Sequence, residues 1–204
     1  MIKMAKVLGY FLVAVIVSAC DGSVQLCGEY ACVFYQSDCE RTNSCNNRRS
    51  CESAGSVRDR TPQLINQLRS SNRNCGSTLF ASSENPDAQA DRAQWDTALE
   101  LASTNHARDM AELRIETFVG SNGLLTADRV ELAGSTATMV VESIGSGPQT
   151  AAEIINFWLD IESDCRQMLN PEFTQIALSC ALSNEKEPVP FWSLVLAKPE
   201  PVKE

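Results

Sequence analysis

The sequence predicts an α+β layered domain on an antiparallel sheet, preceded by a small disulfide-rich module. Three observations carry this. Helix-period apolar stripes cluster early in the main part of the chain, and β-alternation follows them. Five cysteines crowd into residues 27–51, a polar stretch with almost no helical periodicity. A hydrophobic fraction of 44% over 204 residues is enough to bury a real core and argues against disorder.

Residues 1–19 read as a signal peptide. Lys3 and Lys6 precede an apolar run over 7–17, which is too short for a bilayer span of ~20 residues. The stretch Val17-Ser18-Ala19-Cys20 resembles a bacterial lipobox. That resemblance implies cleavage before Cys20, a diacylglyceryl thioether on its sulfur, and acylation of the new amine. Two or three acyl chains, palmitate among them, anchor a protein where one holds only marginally. Loss of 1–19 removes two lysines and no acid, moving the net charge from −9 to −11. So acidic a chain, with pI near 4.7, is a poor partner for nucleic acid. Its single histidine excludes chemistry that needs two imidazoles.

Residues 20–58 form the cysteine-rich module and a linker around 55–60. Setting Cys20 aside, Cys27, Cys32, Cys39, Cys45, Cys51, Cys75, Cys165 and Cys180 are an even set, the mark of a disulfide framework in an exported chain. Five of them lie in the module, so at least one bridge leaves it, with Cys75 the expected partner tying module to main domain. No pair is spaced C-x-x-C, and with one histidine no zinc site is expected.

The main domain is placed at 59–199, with a loose proline-rich tail at 200–204. Thr61-Pro62 reads as an N-cap and first helical position, followed by Leu64, Ile65 and Leu68. Asp96 caps a longer helix to about Arg114, whose stripe is Leu99, Ala102, His106, Met110 and Leu113. Thr150-x-x-Glu153 is a capping box opening a third helix with Ile154, Ile155, Trp158 and Ile161. Strands are expected over 136–144, along Ile176, Leu178, Cys180 and Leu182, and along Trp192, Leu194 and Leu196; the last two make a hairpin.

The segment "TNHARDMAE" at 104–112 resembles the second helix of the CAP superfamily of cysteine-rich secretory, antigen 5 and plant pathogenesis-related proteins, in its bacterial SCP-like branch. The likeness continues in family order through Gly120 and Gly123, Val141-Glu142-Ser143-Ile144, Phe157-Trp158-Leu159, Met168-Leu169-Asn170-Pro171-x-Phe173-Thr174 and Phe191-Trp192. It implies an α-β-α sandwich with a central cleft, in an exported protein. It also implies a Cys165–Cys180 bridge, since relatives with a cysteine at the first point often carry the second.

In that family the cleft usually presents two histidines and acids that in some members hold a divalent metal. Here the first histidine falls on Phe118 and the second on Asp164. Glu142 matches the Gly-Glu-Asn glutamate, while an acidic helix position falls on Ile161. No metal or cofactor is therefore expected. Three readings of Glu142 and Asp164 stand side by side: a carboxylate pair for acid–base chemistry, a weak calcium site, or structural acids that accept loop hydrogen bonds and turn the chain. His106 and Asp109 sit one turn apart, but His106 lies on the apolar stripe and reads as a core histidine. No Gly-x-Ser-x-Gly elbow supports a hydrolase, and every cysteine but the lipidated one has a bridging partner. Gly145-Ser146-Gly147-Pro148 lacks the lysine of a phosphate loop.

The expectation is a membrane-anchored cell-envelope lipoprotein, facing the periplasm or exterior, with a degenerate CAP domain and no catalytic residue. It would bind an apolar, lipid-like small molecule or an envelope protein, with the disulfide module either a partner surface or a protective staple. The alternatives are an extracytoplasmic hydrolase or protease using Glu142 and Asp164, or an envelope structural protein.

Overall fold

The computed structural model describes residues 50–82 and 92–201, together with the backbone of 16–17 and 24–25. The chain divides into two compact units, 1–48 and 49–204. In the first, two short strands are described, β1 (Ile16–Val17) and β2 (Val24–Gln25), paired antiparallel. Cleavage and lipidation at Cys20 and the pairing of Cys27, Cys32, Cys39 and Cys45 lie outside the described residues, as does the tail from 202.

The second unit starts ahead of residue 59, because its first helix does. Helix α1 (Ala54–Arg69) absorbs the expected linker, and Ser53 rather than Thr61 is its N-cap, accepting from the Ser56 amide at 3.3 Å. Val57, Thr61, Ile65 and Arg69 recur every four residues and are buried. Burying Val57 extends the helix backwards, so Thr61 sits mid-helix and donates its hydroxyl to the Val57 carbonyl at 2.6 Å. Pro62 is accommodated inside the helix.

The strands β3 (Arg73–Cys75) and β4 (Thr78–Phe80) form a hairpin over Gly76-Ser77. Gly76 has φ +58°, a backbone conformation that favours glycine; a Cβ there would also displace the exposed Glu162 carboxylate. The strand β5 (Gln94–Trp95) leads into α2 (Thr97–Leu113), and α3 (Thr126–Leu132) follows the connection 114–125. Then come β6 (Met139–Ser146), α4 (Ala151–Leu159), α5 (Glu162–Leu169), β7 (Gln175–Leu182) and β8 (Pro190–Lys198). The third expected helix thus ends at Leu159. Ile161 becomes the N-cap of a separate helix instead of a member of the stripe.

The main sheet has the order β5-β7-β8-β6. Strands β6, β8 and β7 are antiparallel, with β7 and β8 the expected hairpin; β5 adds a short parallel edge that the sequence did not announce. Side chains alternate across this sheet. Ile176, Leu178, Trp192, Leu194 and Leu196 meet α1 and α4 on one face, around Ile65, Ile154 and Trp158. Ala177, Val195 and Ala197 meet Leu99, Ala102 and Val130 of α2 and α3 on the other. The small residues on this second face let α2 approach closely, and the Ser179 hydroxyl lies 2.8 Å from those of both Ser103 and Thr104. The result is the α-β-α sandwich.

Both buried indoles keep a partner: Trp158 donates to the Ile144 carbonyl at 2.9 Å and Trp192 to that of Pro148 at 2.7 Å. Asp96 accepts the Leu99 amide at 2.9 Å and a Gln175 side-chain hydrogen bond at 3.1 Å, tying the start of α2 to β7. Asp96→Ala should cost about 1–2 kcal/mol in chemical denaturation, the range of a lost N-cap.

The bridges correct the expected pairing. Cys75 bonds Cys165 and Cys51 bonds Cys180, with Cα separations of 5.6 and 5.8 Å. Cys165 does not meet Cys180, because α5 turns it into an apolar pocket with Cys75, Leu169, Leu68 and Phe80 under the β3–β4 hairpin. Cys75 therefore closes within the main domain. It is Cys51, from the cysteine-rich stretch, that reaches out to the sheet.

Candidate functional site

Glu142 lies on β6, an edge of the sheet, and alternation points it toward α2 and α3. It is buried, and three donors hold its carboxylate. Thr126 Oγ1 and Arg129 Nη2 each reach Oε2 at 2.6 Å, and Ser193 Oγ reaches Oε1 at 2.6 Å. Arg129, itself buried, completes the knot by donating through Nη1 to the carbonyls of Phe118 at 3.1 Å and Leu124 at 2.7 Å. His106 Nε2 stands 4.0 Å from Glu142 Oε1 and donates to the Thr117 carbonyl at 2.7 Å. The other ring nitrogen, Nδ1, is buried with no hydrogen-bond partner among the described residues. Burial holds the His106 imidazole below its ordinary value, with Arg129 adding to the effect; Glu142, Thr117 and Asp109 pull upward without prevailing.

The neighbouring residues of β6 part company. Ser143 faces the other side of the sheet, where its hydroxyl donates to Asp164 Oδ1 at 2.8 Å. Asp164 belongs to the first turn of α5. Burial outweighs the Ser143 hydrogen bond and raises its carboxyl above the ordinary aspartate value. Glu142 and Asp164 are thus on opposite faces of the sheet and cannot share a proton or a cation. Phe118 is half exposed and contributes only its carbonyl to the Arg129 knot. The family metal positions do not fit a divalent ion here: Phe118 offers no side-chain ligand atom, Asp164 faces away, and Glu142 is already paired with the Arg129 guanidinium. Among the described residues, no three histidine, cysteine or acidic side chains converge as a metal site.

What the residues on the α2–α3 side do line is a cavity of about 420 Å³ that is open to solvent. Leu101, Ala102, Leu132 and Ala133 supply apolar wall, and Asn105, Arg108 and Asp109 supply polar wall. Gly120, Ser121, Asn122 and Leu124 close one side, and His106 and Arg129 also line it. Leu132 is 74% exposed and Leu101 51%, so both stand at the rim. Asp109 accepts the Ser121 amide at 2.6 Å. Burial alone would raise the Asp109 carboxyl, but the Ser121 hydrogen bonds outweigh it and hold the group below its ordinary value. Sequence reasoning named His106, Asp109 and Glu142 but missed Arg129, the residue that joins them.

This sandwich, and this order of helices and strands, agree with a comparison by family. Residues 63–195 match the model of the CAP, or cysteine-rich secretory protein, family. The chain belongs to that family. Among solved structures, the CAP domain is similar to an outer surface protein from Borrelia burgdorferi, at 14% identity and TM-score 0.51, over 72% of this chain and 92% of that one. An extracellular SCP-domain protein from Bacillus anthracis is similar at 14% identity and TM-score 0.48, over 71% of this chain and 42% of its own. A cysteine-rich secretory protein from Staphylococcus aureus follows at 11% identity and TM-score 0.48, over 74% and 41%. The chain spans less than half the length of these last two. No curated protein matches it by sequence. The likeness to the Borrelia protein, at 14% identity, shows the fold alone. Among the described residues no helix is long and apolar enough to cross a membrane.

Proposed function

We propose that this chain is a cell-envelope lipoprotein, anchored through Cys20, whose CAP domain binds a small amphiphilic molecule and performs no chemistry. The observation that carries the reading is the engagement of Glu142. Arg129, Thr126 and Ser193 occupy its oxygens, so the one cleft acid kept from the family pattern serves as a structural counter-ion rather than a base or ligand. Glu142 does not line the cavity beside it, so a ligand held there meets the wall of α2 and α3 and not this carboxylate.

The cavity beside that knot is of a size typical for small-molecule sites, which run from roughly 300 to 1,000 Å³. Its leucine and alanine wall suits an apolar tail. Arg108, which is exposed on the polar wall, suits an anionic or strongly polar head. The lipobox resemblance and the cysteine framework support an extracytoplasmic, membrane-anchored location, where such amphiphiles are abundant.

Native mass spectrometry of the chain purified from the envelope in mild detergent tests this. The expected spectrum carries one amphiphile-sized adduct, lost in Leu132→Asp, which places a charge at the rim without touching the buried knot. An adduct that survives Leu132→Asp and Arg108→Glu together would overturn the cavity assignment. A bare protein mass would shift the reading to a protein partner.

A further inference from the structure

Residues 115–124 lie in the connection between α2 and α3, and Gly120, Ser121, Asn122 and Leu124 of this segment wall one side of the cavity. Their backbone-to-backbone hydrogen bonds are local: Ile115 to Met110, Gly120 to Leu124 and Gly123 to Gly120. Side chains of other elements tie the segment down. His106 and Asp109 of α2 hold the Thr117 carbonyl and the Ser121 amide. Arg129 of α3 holds the carbonyls of Phe118 and Leu124, and Ser146 of β6 donates to Glu116 at 2.6 Å. A segment fastened by four side chains and no backbone ladder opens when those side chains change state.

We propose that residues 115–124 form a strap over the cavity, which acid releases through His106 and then Asp109. The proposal rests on the cavity being the ligand site, as argued above. With Nε2 committed to Thr117, a second proton must go to His106 Nδ1, which is buried and meets no acceptor among the described residues. The charged groups around the ring are Asp109 on its own helix, Arg129 from α3 and Glu142 from β6. Glu142 is already engaged by Arg129 and two hydroxyls, and Asp109 by Ser121. The imidazolium is therefore poorly accommodated while the strap is shut, and lifting the strap lets water solvate it.

The sign follows by linkage. A histidine held below its ordinary 6.5 in the closed form takes up a proton on opening, so closure is complete above pH 6.5 and weakens as pH falls from there. Asp109, held below its ordinary 3.8, acts in the same direction at lower pH, where its protonation removes the acceptor for the Ser121 amide.

Hydrogen exchange on the full chain, corrected for intrinsic rates, reads the strap directly. Below pH 6.5, protection over 115–124 should fall by up to about ten-fold per pH unit, the limit for one proton taken up, while α1 stays protected. His106→Gln, whose amide can still donate to Thr117, should flatten that response. Because His106 is the single histidine of the chain, its imidazole NMR signal is unambiguous, and its titration should coincide with strap exchange in the unmodified protein. Strap protection that stays constant while His106 titrates, or a response that persists in a folded His106→Gln protein, would overturn the proposal. The two readings separate cleanly: a strap that opens in acid over a cavity that never holds an amphiphile refutes the ligand site alone. An amphiphile held under a strap indifferent to pH refutes the strap alone.

Discussion

Arg129→Met should lower the unfolding free energy of the CAP domain by about 3–5 kcal/mol, the range for removing one partner of a buried ion pair. The side chain of Glu142 is only 1% exposed and that of Arg129 8%, so water from the cavity that Arg129 lines replaces the lost partner poorly. The loss has two parts. Glu142 keeps hydroxyl donors from Thr126 and Ser193 but no counter-charge, and the carbonyls of Phe118 and Leu124 lose their donor. Urea denaturation measures the sum. Hydrogen exchange separates the second part, because 115–124 should lose protection well beyond the global change. Loss of less than about 1 kcal/mol, the value of an exposed pair, would show that the knot is solvated and the burial argument wrong.

Breaking the Cys75–Cys165 bridge is the second large effect. The bonded residues are 90 apart in sequence, and the chain-entropy model gives about 4–5 kcal/mol for closing a loop of that size. Both cysteines are almost fully buried, so Cys75→Ser with Cys165→Ser also places two hydroxyls in an apolar pocket with Leu169 and Leu68. Paired replacement by alanine isolates the covalent term. The Cys51–Cys180 bridge is closer to solvent, since both its residues are only partly buried. Under native conditions a mild thiol should reduce it first, and peptide mapping of alkylated protein reads the order. Reduction of Cys75–Cys165 ahead of it would mean that the hairpin over α5 opens readily.

Much of the fold was legible because the signals were local. The Asp96 cap, the α2 stripe from Leu99 to Met110 and the Thr150–Glu153 box appear where the sequence places them, as do the β7–β8 strands, while Leu113 at the end of the stripe is exposed. Thr61-Pro62 misled because a threonine–proline pair is an ordinary helix start, and only the burial of Val57 against the sheet reveals the longer helix. The short α3 and α5 carry too few residues for a convincing period. The bridges depend on how α5 and the β3–β4 hairpin stack, which no spacing encodes.

The site was legible residue by residue but not as an arrangement. Glu142 stood out through its family motif, and the Arg129 ion pair with two hydroxyl donors accounts for an acid in so buried a place. What it touches is decided by strand parity. Glu142 and Ser143 are adjacent in β6, so they take opposite faces, which separates Glu142 from Asp164 and delivers it to Arg129. Parity over this strand was available once its ends were known. Arg129 carried no such signal, as a lone arginine in a short polar helix reads as surface.

The central claim is that Glu142 builds the domain and the cavity binds. The most direct measurement is the native mass of Glu142→Gln protein recovered from the envelope, set beside wild type. The account predicts the same amphiphile adduct on both, with the variant less stable to heat. Loss of the adduct in a variant as stable as wild type, or a divalent ion on wild type that vanishes in the variant, would contradict it and return Glu142 to the role of ligand.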